Sequence, residues 1–99
     1  VGIPTLNELK ARIAFLQAEA DRGQIEIPEL LTVNMIQGIV DTLSAVGFDD
    51  PVVRKEPFVG RITGSFRVIN DPRVQALARD TLAVLYAHGL TVQGRRNPW

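Results

Sequence analysis

The chain of 99 residues has no cysteine, one histidine, one tyrosine and one tryptophan. Without cysteine there is no disulfide framework, no thiolate zinc site and no cysteine nucleophile. A lone imidazole, His88, cannot build a histidine metal cage within one chain. Long hydrophobic runs are also missing: residues 30–40 are uncharged, but the stretch is too short for a bilayer and carries Asn34 and Gln37. No membrane partner is therefore expected. Val1-Gly2-Ile3-Pro4 leads straight into a helix signal, so no secretory leader is expected and the predicted location is cytoplasmic. What is present is apolar. Some 45% of the residues are hydrophobic and the formal net charge is zero, a composition that excludes intrinsic disorder. The length fits one core, read as a single domain over residues 1–92 with a C-terminal tail, 93–99.

The neutral total hides a division. Residues 1–50 set Lys10, Arg12 and Arg22 against eight acids, a net −5, while residues 51–99 set eight bases against Glu56, Asp71 and Asp80, a net +5. Nine of the 11 cations are arginine, which pairs in a flat, bidentate way with carboxylate or phosphate. Three arrangements meet this pattern: the halves pair inside one fold, copies associate through complementary faces, or a basic surface meets nucleic acid.

Thr5-Leu6-Asn7-Glu8 has the form of a capping box, and Leu6, Leu9, Ile13, Leu16 and Ala20 continue it as an amphipathic seam to about Arg22, with Gly23 as a stop. Phe15 lies well off that seam. A second helix is predicted from near Pro28 or Thr32 to Val46, closed by Gly47, with an apolar arc broad enough to be packed on two sides. Phe48-Asp49-Asp50-Pro51 reads as a loop, and residues 52–69 as extended structure, one strand or a hairpin. The clearest alternation there puts Ile62, Gly64, Phe66 and Val68 on one face and Arg61, Thr63, Ser65 and Arg67 on the other. Asp71 and Pro72 start a third helix that runs to His88-Gly89, and residues 90–92 read as a short strand. The order α-α-β(β)-α-β predicts an α+β fold, three helices packed on a small, mainly antiparallel sheet in two layers.

No catalytic constellation is visible. His88, before a glycine at a helix end, reads as a capping residue, with no partner for acid–base work. Asp49 and Asp50 suit turn solvation, and Gly60-Arg61-Ile62-Thr63-Gly64 lacks the lysine and the strand–loop–helix setting of a phosphate loop. Neither a cofactor nor a metal is expected. Interface-type residues are better represented. Ala76, Ala83 and Ala87 form a smooth stripe bordered by Arg79 and Tyr86 on the third helix, Phe15 stands off the first, and Arg95, Arg96 and Trp99 occupy the tail. The tail is expected to dock on a neighbouring subunit, with Glu19, Asp21 and Phe15 as its seat. These residues predict a non-enzymatic structural protein, a subunit of a homo-oligomer or larger particle such as a virion, joined by charge-complementary, head-to-tail contacts. The alternative is a nucleic-acid-binding module using Arg61 and Arg67 on a strand face together with the basic tail.

Overall fold

A computed structural model describes residues 2–92. It is helical throughout: 71% helix in five helices, with no sheet among the described residues. The α+β expectation is overturned.

α1 (Leu6–Asp21) starts as its sequence dictates. The Thr5 hydroxyl accepts from the Glu8 N–H while the Glu8 carboxylate accepts from the Thr5 N–H, each at 3.1 Å. The predicted seam is the buried face, with Leu9, Ile13 and Leu16 in the core. α2 (Ile27–Val46) is the central element and packs against α1, α5 and the short α3 (Pro51–Lys55) and α4 (Phe58–Ser65). It spends Val33, Ile36, Ile39, Val40 and Leu43 on the core. Its polar strip also works internally, since the Gln17 amide donates to the Asn34 and Gln37 side-chain oxygens at 3.2 and 2.6 Å and ties α1 to α2. α5 (Pro72–Ala87) completes a three-helix unit with α1 and α2, starting on an Asp71 cap and closing at His88 with Gly89 at φ 83°.

The region expected to be a sheet is α3, α4 and the turn after them. Its apolar residues fit the period of a helix once Gly64 is removed from the apolar set. Phe58, Val59 and Ile62 are buried and Phe66 is half-buried, while Gly64 and Val68 face solvent. Thr63 and Ser65 turn their hydroxyls back onto the Val59, Gly60 and Arg61 carbonyls, which suits a helix despite the strand preference of threonine. Asp50 is no turn residue but the cap of α3, accepting from the Val52 N–H at 2.8 Å. Residues 90–92 form no strand either: Leu90 tucks into the core after Gly89, held by its N–H to the Leu85 carbonyl at 3.1 Å. The predicted tail, with Arg95, Arg96 and Trp99, lies outside the described residues.

One buried carboxyl group links the starts of two long helices. Glu29, in the first turn of α2, is only 4% exposed, and its Oε1 accepts from the Asn70 and Asp71 backbone N–H groups at 2.6 and 3.3 Å. A carboxylate from one helix start thereby serves the N-terminus of another. The two N-termini lie at the same end of the bundle.

Candidate interaction groove

Phe15 remains 55% exposed after folding, so no element of the described chain covers it. It stands over a cleft of about 450 Å³ between α1 and α5, lined with it by Ala11, Arg12, Leu16, Arg73 and Ala76. Leu16 and Ala76 are the apolar floor, one buried and the other half-buried. Alanine at position 76 keeps the floor low enough for an incoming side chain.

Ion pairs hold the walls. Arg12 of α1 pairs with Asp80 of α5 across the two helices. At the other end Arg73 is fastened by Asp71 at 2.8 Å, by the Gln24 carbonyl at 3.1 Å and by Glu19 at 3.8 Å. The Arg73 fork draws the Asp71 carboxyl below the usual carboxylate range, with the Arg73 and Val74 N–H groups acting in the same direction and partial burial opposing them. Arg73 is in turn held more firmly protonated by that carboxylate. These pairs restrain the Arg12 and Arg73 side chains at the rim, which lowers the ordering cost of association.

Of the residues singled out from the sequence, the fold brings Phe15 and Ala76 into this one groove. Arg79 and Tyr86 are exposed on the outer side of α5, beside the Ala76, Ala83 and Ala87 stripe that extends away from the groove. Arg61 and Arg67 are not joined on a strand face. Arg61 is on α4 and Arg67 is in the turn after it, both exposed. His88 caps α5 through its backbone, and its ring stacks on Phe48 at 3.6 Å between centroids. Sequence reasoning missed Arg12 and Asp80. Their position three residues before Phe15 and four after Ala76, one helical turn in each case, was the available signal.

The charge division is partly settled within the fold. Arg73–Glu19 and Arg54–Asp49 each pair a base of the basic half with an acid of the acidic half, whereas Arg12–Asp80 pairs the minority charge of each half. Among the described residues no three His, Asp or Glu side chains gather where they could hold a metal, and no helix is long and apolar enough to cross a membrane. Comparison of the chain with family models, with curated proteins and with solved structures gives no match.

Proposed function

We propose that the chain is a non-enzymatic assembly subunit, part of a homo-oligomer or larger particle, which receives a neighbour's side chains in the α1–α5 groove. The observation that carries this reading is Phe15, half-exposed over an apolar floor whose walls are already braced by ion pairs. Aromatic and arginine residues around a small desolvated pocket are the kind that dominate contact energies. The unequal charge of the two chain halves contributes at the rim, and a head-to-tail arrangement extends into a ring or stack. Such a subunit resides in the cytoplasm or within an assembled particle such as a virion.

Sedimentation velocity over a range of protein concentrations tests the reading. The expected result is concentration-dependent association that Phe15→Ser abolishes while the far-ultraviolet spectrum is unchanged. Raising the salt concentration has a smaller effect than that substitution, because the centre of the contact is apolar and screening acts only on its rim. A chain that stays monomeric throughout overturns the proposal. The second reading, nucleic-acid binding, rests on Arg61 and Arg67, which are exposed and enter no ion pair among the described residues. A fluorescent oligonucleotide bound with steep salt dependence, and released by Arg61→Ala with Arg67→Ala, would favour it instead.

A further inference from the structure

The α1–α5 groove is open to solvent, and the molecule carries a surface of matching chemistry elsewhere. Ile27 and Leu31 on α2 are 72% and 64% exposed, the two most exposed large apolar side chains among the described residues. They are one helical turn apart and project together. Glu26 precedes them at the helix cap, exposed, with no side-chain capping bond and no ion pair among the described residues. Two aliphatic side chains next to a free carboxylate form an acidic-edged knob. The groove presents an apolar floor at Leu16 and Ala76. Arg79 does not line it but stands one turn beyond Ala76 on the outer side of α5, exposed and likewise without an ion pair among the described residues.

The knob cannot enter its own groove. Glu29 reaches from α2 to the start of α5, and Ile27 and Leu31, two residues to either side, lie about 160° around the helix and face away from α5. The groove lies between α1 and α5, and α2 packs against both of those helices from the opposite side. Knob and groove are therefore back to back, which is the geometry of a heterologous contact that repeats from copy to copy.

Resting on the assembly reading, we propose that the groove's occupant is a second copy of this chain: Ile27 and Leu31 of one copy seat against Phe15 and Ala76 of the next, and Glu26 pairs with Arg79.

A mixing experiment on the full chain tests it. Leu31→Asp breaks the knob and Phe15→Ser breaks the groove, each at an exposed position, and circular dichroism melts confirm that both variants fold. Each variant alone is expected to sediment as a monomer at concentrations where the parent chain assembles. Mixed one to one they are expected to form a heterodimer and nothing larger, because one intact knob and one intact groove remain. Should either variant fold poorly, Ile27→Lys and Ala76→Arg replace them. A finer variant pair checks the charge contact: Arg79→Glu weakens association about fivefold, and adding Glu26→Arg in the same chain restores it. If Phe15→Ser dissociates the assembly while Leu31→Asp leaves it intact, the groove stands and this occupant is wrong. Two monomeric variants that stay monomeric when mixed would also overturn the knob-in-groove contact. If neither substitution changes association, the assembly reading falls with it.

Discussion

α3 and α5 begin in the same way and end very differently. Each opens on Asp-Pro, with the aspartate accepting the N–H two residues on, from Val52 at 2.8 Å and from Arg73 at 2.9 Å. Yet α3 lasts five residues and α5 sixteen. The difference lies downstream of the cap. Pro57 forces Glu56 into extended backbone, ψ 134°, and stops α3 within its second turn. α5 meets no proline or glycine until Gly89, and its alanines and leucines have the best helix propensities. Support around the two caps differs as well. Asp71 also grips the Arg73 guanidinium, and Glu29 accepts from the N–H groups just before that helix. A cap starts a helix; the residues beyond it and the packing around it determine how far the helix runs.

The strongest way to break this comparison is to ask whether the short helices are as much part of the core as the long one. Leu77 in α5 and Ile62 in α4 are both fully buried. Each substitution to alanine is expected to cost about 2–5 kcal/mol in urea unfolding. A cost below about 1 kcal/mol for Ile62→Ala alone would mean that α4 is loosely attached, so that the short helices differ from α5 in packing as well as in length.

Next in size are the caps. Asp71→Ala is expected to cost about 1–2 kcal/mol and Asp50→Ala about 0.5–1 kcal/mol, the difference reflecting the extra Arg73 contact. Acid titration sharpens the point. The Asp71 carboxyl is lowered on folding, chiefly by Arg73, so its contribution is full above the ordinary carboxylate range. It is lost as the pH falls through the lowered native value. The stability gap between the parent and Asp71→Ala should be constant near neutrality and close only in that acid range. A gap that closes near neutral pH would place the coupling elsewhere.

Legibility followed the same division. The capping box at Thr5, the seam through Leu9, Ile13 and Leu16, and the Asp71-Pro72 start are local signals reinforced by long periodic runs, and all three stand in the fold. Residues 51–69 misled because a five-residue and an eight-residue helix are too short to display a period. With threonine, valine and glycine among them, counting Gly64 as a core position completed a false alternation. Asp50-Pro51 carries the same information as Asp71-Pro72 but reads as a turn because no apolar run of helical period follows it. A third of the candidate groove's lining was visible, since Phe15 and Ala76 both stood off their core faces. That they meet was not visible, because it depends on how α5 lies along α1, which no local spacing encodes. Arg12 and Asp80 were hidden for the same reason.

The smallest effect concerns the two glycines inside α4, a residue type that α5 lacks. Neither has positive φ, so neither is required by backbone conformation. A Cβ at Gly64 would meet nothing within 4 Å, whereas one at Gly60 would stand 3.3 Å from the Val92 carbonyl oxygen. Gly64→Ala should therefore return the ordinary helix-propensity difference, a gain of about 0.5–1 kcal/mol. For a domain of this size that is a rise of a few degrees in Tm, about 2–8 °C. Gly60→Ala should yield no gain, because the added methyl must push the backbone of residue 92 aside and offsets what the helix acquires. Parallel thermal melts of the two variants decide the matter. Equal stabilisation by both would show that the segment after Gly89 is not held against α4, and that the short helix owes its glycines to nothing in the packing around it.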